Sequence, residues 1–478
     1  MDNKIRTRFA VSPTGFMHIG GARTALYDWL FARNQKGHLV LRIEDTDKDR
    51  EVEGGVEHIL ESLKWLGIDW DEGPDVGGKH GPYTQSKRLE IYKDYAQKLV
   101  DSGHAYADPY SSEEVDQFRQ KAQAEKRAFL YRDHRPENPP DWDGSQPLRL
   151  KVLEIKSYSW EDSVRGRLSA GEEAIDDIVL IKSDGYPTYN FAHIVDDYLM
   201  KITHVLRGEE FIASIPKYLS IYEAFGWKPP IFATLPPIMA TSGNKKLSKR
   251  DGAPDVLAYR DQGYMPETIV NFLALMGWND GSEQEVYSIN ELIEKFELAR
   301  VQRSGARFDD QRLQWISGHH IRNLDLETLY QRTISPKNWW PESSNDTDIE
   351  HKKHVLSLVQ EKLKNFSELK DNIEFFFTEP EVTLSDVLES DKQIAKLGEA
   401  TIRHHLSVAL DSLTESDFKT EDIEIRLRRL VDELDTKTGV FFKLIRYTVT
   451  GRGVAPGLFE TLSTLGKEAS LHRIQKLL

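Results

Sequence analysis

The chain contains no cysteine among its 478 residues. That single absence excludes disulfides, thiolate-ligated zinc, iron–sulfur clusters and cysteine nucleophiles. Long apolar runs are missing too. No stretch approaches the roughly 20 consecutive apolar residues needed to cross a bilayer, and Met1 to Ala10 lacks the apolar core of a signal peptide. The expectation is a soluble cytoplasmic protein. Positive charge is in deficit: Lys+Arg is 63 against Asp+Glu 78, a formal net charge of -15. Total charge therefore argues mildly against a nucleic-acid partner, although phosphate contacts depend on local sign. With 39% hydrophobic and 29% charged residues the chain is globular in balance, and at about 150 residues per domain its length predicts about three domains.

What is present starts with a strand, a turn and a helix. Ile5 to Val11 reads as a strand, Pro13-Thr14-Gly15 breaks it, and Leu26, Trp29 and Leu30 repeat at helical spacing after Ile19-Gly20-Gly21. A second strand at His38 to Ile43 and a helix at Val52 to Leu66 continue the alternation, which predicts an α/β fold with a doubly wound parallel sheet and ligands at the carboxyl ends of its strands. Helices are expected at Ser86 to Val100, Ser111 to Lys126 and Ile212 to Phe225, and strands at Leu148 to Ile155, Ile178 to Lys182 and Ile231 to Leu235. The Pro-rich stretch Pro136 to Pro147 marks an inserted α+β subdomain. Beyond about Leu324 the pattern becomes helical, with long amphipathic candidates at Glu350 to Leu369, Lys392 to Leu413 and Glu421 to Leu434.

Two segments carry chemistry. A helix that starts just after a strand exposes unpaired N–H groups and a positive dipole end, so the segment Arg8 to Gly21 suits phosphate, with His18 at its mouth as a hydrogen-bond donor. The same residues also read as a plain turn with an exposed histidine. A glycine-bounded loop, Lys246-Leu247-Ser248-Lys249-Arg250, would neutralise the charge of a leaving pyrophosphate, or would be a solvated basic turn. Both in this order, flanking an insertion in a doubly wound sheet, resemble the two signature motifs of class I aminoacyl-tRNA synthetases.

Further segments narrow the resemblance. Arg42-Ile43-Glu44-Asp45-Thr46-Asp47, Lys64 to Pro74, Gly81 to Ser86, Ser183 to Ala192, Pro456-Gly457-Leu458-Phe459 and Leu465 to Glu468 are similar to the bacterial-type glutamyl-tRNA synthetases along essentially the whole chain. Gly21 stands where the wider class has a second histidine, as is usual for the glutamyl branch, and Val11 replaces a common proline. Some relatives hold zinc near the segments matching His104 to Asp108 and Tyr131 to Arg135; without cysteine no thiolate site forms here, so no protein-bound metal and no zinc is expected.

The resemblance implies a Rossmann-like catalytic domain at 1–104 and 190–255, an inserted acceptor-stem-binding subdomain at 105–189, a stem-contact region at 256–323 and an α-helical anticodon-binding region at 324–478, in two subdomains. It implies His18, Lys246 and Lys249 as catalytic residues. ATP, delivered with Mg²⁺, would meet Ser12, Thr14, Gly15, His18, Gly20, Gly21, Lys246, Ser248 and Lys249. Glutamate presents two carboxylates and an ammonium, so its pocket needs arginine and an acid; the family-matching residues are Arg8, Ala10, Ser12, Glu44, Tyr189, His193 and Arg207. The bland readings are that Arg8 is a strand-edge cation, that Glu44 pairs with Arg42 or Lys48, and that Asp196-Asp197 is a helix cap or solvated turn rather than a metal site. The partners implied are tRNA(Glu), ATP and L-glutamate, acting on a monomer away from membranes. Basic clusters such as Lys352-Lys353 and Arg426 to Arg429, with Trp315, Trp339, Trp340, Phe441 and Phe442, fit an RNA-binding helical region or, equally, solvated faces and core. The alternatives are a glutaminyl-tRNA synthetase and a small-molecule nucleotidyltransferase of the same nucleotide-binding fold.

Overall fold

A computed structural model describes residues 4–241, 245, 247 and 255–478. These fall into two compact units, Met1–Asp261 with Pro266–Leu313, and Gln262–Met265 with Gln314–Leu478.

The first unit begins as the sequence predicts. Strand β1 (Arg6–Val11) leads through the Pro-Thr-Gly turn into helix α1 (Ile19–Asn34) and parallel strand β2 (His38–Ile43), with Arg6 opposite His38 and Val11 opposite Ile43. Most of α1 is buried, including Ala22, Ala25, Leu26 and Leu30, so this is a central helix rather than a surface one. Helices α2 (Gly55–Trp65) and α3 (Leu89–Asp101) follow. Residues 105–181 contribute β3 (Ala105–Ala107), α4 (Ser112–Ala124), β4 (Leu148–Leu150), β5 (Tyr158–Asp162), β6 (Gly166–Ala170) and β7 (Val179–Ile181), where β3, β4 and β7 form an antiparallel sheet and β5–β6 an antiparallel hairpin whose β5 pairs in parallel with the later strand at Phe232. The chain then returns through α5 (Tyr189–Leu199), β8 (His204–Gly208), α6 (Ile215–Ala224) and β9 (Ile231–Leu235).

Strands β8 and β9 are parallel, and Thr203 joins their edge to β1: its N–H donates to the Arg6 carbonyl at 2.9 Å and its Oγ1 accepts from the Arg6 N–H at 2.8 Å. The carboxyl ends of β1, β2 and β8 thereby open together, which is where a doubly wound sheet binds ligands. Phe191, Ile194, Val205, Tyr218 and Ile221 fill the core beneath.

The second unit is helical among its described residues, with one core around Leu329, Val355, Val359 and Phe366 and another around Ile402, Leu406, Leu427, Phe441 and Leu444. Two expected helices are broken. The one expected over 350–369 ends at Val359, because the chain turns so that Leu363 and Phe366 both enter the same core. The one expected over 392–413 splits at Gly398, whose φ of 74° suits glycine and starts a new helix at Glu399. In the insertion, the expected strand over 148–155 stops at Leu150, where the Asp177 carboxylate accepts the Val152 N–H at 3.1 Å in place of a neighbouring strand.

Candidate functional site

A cavity of about 360 Å³ lies at the carboxyl ends of β1 and β8, within the size range of small-ligand sites. Arg8, Ala10, Ser12, Thr14, His18, Gly20, Gly21, Glu44, Tyr189 and Arg207 all line it. Gly15 lines a smaller adjoining cavity together with Thr14 and His18. His193 sits behind the wall: it is 3% exposed, its Nδ1 pairs with the Tyr189 carbonyl at 2.8 Å, and its ring stacks on Tyr189 and meets the edge of Tyr218. Burial, followed by the Arg207 charge, holds that imidazole well below its ordinary range, so it stays neutral. Lys246, Ser248 and Lys249 lie outside the described residues; between them Leu247 reaches the cavity wall.

The turn before α1 is built around His18. Its Nδ1 accepts the N–H groups of Gly20 at 3.0 Å and Gly21 at 3.4 Å, capping the helix. A ring nitrogen that accepts leaves the proton on Nε2, so His18 is a neutral imidazole with its donor on the far side. This differs from the expectation that these two amides wait unpaired for phosphate: the histidine ring takes them, and its Nε2–H becomes the donor instead. Gly20 is required because a Cβ there would meet His18 Cε1 at 2.8 Å, whereas at Gly21 the nearest atom is Met17 Cγ at 4.0 Å.

Below the cavity lies a buried ion network. Arg42, directly under the mouth, donates to Glu44 Oε1 at 2.9 Å and to Asp197 Oδ1 at 2.8 Å. Asp197 also takes Arg8 Nε at 3.3 Å, and Asp196 takes Arg88 Nε at 2.7 Å, Gln85 at 2.9 Å and Tyr92 at 2.8 Å. The reading of Asp196-Asp197 as a cap or solvated turn is thus overturned: both are buried on α5 as counter-ions to three arginines. Burial raises the Asp197 carboxyl, but Arg8 and Arg42 outweigh it and pull the group down to about 2. Arg8 is no strand-edge cation, since it is 3% exposed, and Glu44 does pair with Arg42.

Arg207 is different. It is buried, its Nη2 donates to the Tyr189 hydroxyl at 2.8 Å, and the guanidinium lies 4.4 Å from the Phe211 ring centre. Its Nε and Nη1 are buried with no hydrogen-bond partner among the described residues. Unpaired N–H groups of a buried cation are costly, and an anion arriving in the cavity would satisfy them bidentately.

Several residues at this site were not singled out from sequence. Arg42 falls in a resembling segment but is given no role beyond pairing with Glu44; Arg23, on α1, donates to the Met276 carbonyl at 3.0 Å and to the Pro236 carbonyl, fixing the 236–238 segment that lines the cavity. Asp28 and Glu210 also line it. In the second unit Phe441 and Trp340 are core, while Lys353, Arg426, Arg428 and Arg429 pair with nearby acids; Trp315 is 46% exposed.

Comparison with known proteins agrees with this geometry. Residues 4–315 match the family described as tRNA synthetases class I (E and Q), catalytic domain, and residues 328–478 match an anticodon binding domain. The glutamate–tRNA ligase of Moorella thermoacetica is 40% identical, covering 99% of this chain and 98% of its own length, and that of Roseiflexus castenholzii is 42% identical over 98% and 95%. The crystal structure of a glutamate tRNA ligase from Elizabethkingia meningosepticum in complex with its amino acid superimposes with a TM-score of 0.87 at 32% identity, over 99% of both chains. The two matching domains and the identity along nearly the full length place this chain among the class I aminoacyl-tRNA synthetases, in the family of the glutamate–tRNA ligases.

Proposed function

We propose that the chain ligates L-glutamate to the 3′ end of tRNA(Glu) in two steps at this cavity. The α-carboxylate of glutamate attacks the α-phosphorus of ATP; the bond to the β-phosphate oxygen breaks, pyrophosphate leaves and glutamyl-adenylate remains. The terminal ribose hydroxyl of tRNA then attacks the glutamyl carbonyl and AMP leaves. No protein nucleophile takes part, so the residues act by positioning and by stabilising charge.

The observation that carries this reading is Arg207, a buried guanidinium with two unpaired N–H-bearing nitrogens in the cavity wall. Arg8 and Arg207 suit carboxylates, Glu44 and Tyr189 the remaining polar edge, with Ala10 and Ser12 along β1 and its end. His193 supports Tyr189 from behind. For ATP, Ser12, Thr14, Gly15, Gly20 and Gly21 form the turn, His18 donates through Nε2, Lys246 and Lys249 supply positive charge to the leaving pyrophosphate, and Ser248 offers a hydroxyl beside them. Mg²⁺ arrives with ATP and supplies charge neutralisation there. Residues 105–189 suit the acceptor stem, 256–323 the adjoining stem and 324–478 the anticodon, in a cytoplasmic monomer.

The test is exchange of radiolabelled pyrophosphate into ATP with glutamate or glutamine, with and without tRNA. Glutamate-dependent exchange, stimulated by tRNA, and charging of tRNA(Glu) are expected. Exchange supported by glutamine alone would assign the chain to the glutaminyl branch, and no charging with any amino acid would overturn the reading.

A further inference from the structure

Asp28 occupies the middle of α1 and lines the same cavity as Arg8 and Arg207. Its side chain is completely buried, and neither carboxyl oxygen has a hydrogen-bond partner among the described residues. Only its backbone is engaged, the carbonyl accepting from Thr7 Oγ1 at 3.0 Å. The charged groups facing it are Arg8 from β1, Asp197 from α5 and Arg207 from β8. Two of these are already committed, since Arg8 donates to Asp197, and neither arginine donates to Asp28.

An ionised carboxylate cannot remain buried without donors at tolerable cost, whereas a neutral carboxylic acid needs only one acceptor for its O–H.

We propose that Asp28 is a specificity-determining residue that works as a neutral carboxylic acid, donating its O–H to a carboxylate of the bound glutamate and leaving the unpaired Arg207 nitrogens to the same ligand. Burial supports this state, pushing the Asp28 carboxyl well above the ordinary range against the pull of Arg8 and Arg207. The inference rests on the glutamate reading of the cavity and adds to it a proton held by the protein before the amino acid arrives.

The experiment compares wild type, Asp28→Asn and Asp28→Leu, as full-length enzymes, by glutamate titration calorimetry in buffers of different ionisation enthalpy and by the glutamate KM for tRNA charging. Asparagine keeps a neutral donor of nearly the same shape, so its glutamate affinity stays within about twofold of wild type; leucine keeps neutrality but loses the donor, and its KM rises at least about tenfold with kcat little changed. Neither wild type nor Asp28→Asn takes up a proton on binding glutamate at pH 7. A change above about fivefold in Asp28→Asn, an uptake near one proton in wild type that the asparagine abolishes, or an Asp28→Leu enzyme like wild type would each overturn the inference. If leucine prevents folding, the asparagine affinity and the proton count decide. A wild-type enzyme that binds no glutamate overturns the reading of the cavity itself, and this inference with it; binding by wild type without the pattern above overturns the inference alone.

Discussion

Two buried ion networks lie in the first unit, and they differ in whether their polar atoms are all engaged. In the insertion, Asp177 accepts Arg135 through both oxygens at 2.7 Å, the Tyr106 hydroxyl at 2.9 Å and the Val152 N–H at 3.1 Å. Its neighbour Asp108 takes Arg149 at 2.5 Å, the Tyr110 N–H at 3.1 Å and the Tyr131 hydroxyl. Around the cavity, by contrast, Arg207 Nε and Nη1 and both Asp28 oxygens have no hydrogen-bond partner among the described residues. A saturated network spends its charge on holding structure; an unsaturated one keeps charge in reserve for a ligand.

The contrast breaks most visibly through a pair of substitutions with opposite readouts. Arg207→Ala is expected to raise the glutamate KM by about 100-fold, the loss of a bidentate charged contact, while leaving the thermal midpoint nearly unchanged, because the buried guanidinium is held by tyrosine hydroxyls and rings rather than by a carboxylate. Asp177→Asn should do the reverse. It leaves Arg135 without its carboxylate and costs about 2 kcal/mol, less than a fully buried pair because Arg135 keeps some contact with water, and it leaves the glutamate KM as it was. Thermal melts and charging kinetics on the same preparations check both, and a KM effect from Asp177→Asn comparable to that of Arg207→Ala would erase the distinction.

Asp197 belongs to both sides of the comparison, since it anchors Arg8 and Arg42 beside the unpaired groups. Its folded-state carboxyl titrates at about 2 against an ordinary 3.8. A depressed pKa stabilises the fold above the unfolded value, and that stabilisation is lost as pH falls through the folded value; here it amounts to about 2 kcal/mol, fading between roughly pH 4 and pH 2. Urea denaturation of Asp197→Asn should therefore show lower stability than wild type at neutral pH and a smaller further loss across that acid window. Equal acid sensitivity in the two proteins would remove Asp197 from the set of stabilising anions.

The sequence exposes these networks unevenly. The turn from β1 into α1 is legible because strand pattern, Pro-Thr-Gly break and helical spacing all coincide within a short segment, and the cavity gathers most of the residues read from it. Asp196 and Asp197 are not, because their arginine partners lie far off in the chain, 108 positions away for Arg88 and 189 for Arg8, and adjacent acids look alike whether solvated or buried. Asp28 is hidden in another way. It stands in α1 among other polar residues, Arg23, Thr24, Arg33 and Asn34, and only the packing of α1 shows that no donor among the described residues reaches it. His18 shows the converse: its place at the helix start was evident, but not that its ring would take the two amides expected to stay unpaired.

Two tyrosines give the finest version of the comparison, because each loses a single oxygen. Tyr131→Phe removes one donor from Asp108, which keeps Arg149 and the Tyr110 amide; the cost should be about 1 kcal/mol of stability with no change in glutamate KM. Tyr189→Phe removes the acceptor of Arg207 Nη2. The arginine then keeps the Phe211 ring and Tyr218 beside it but loses that anchor, so the glutamate KM should rise several-fold while the melting midpoint barely moves. The same atom removed from a saturated network is felt in folding and from an unsaturated one in binding; if both substitutions lowered stability equally and neither touched the KM, the unpaired Arg207 nitrogens would be a packing defect rather than a ligand site.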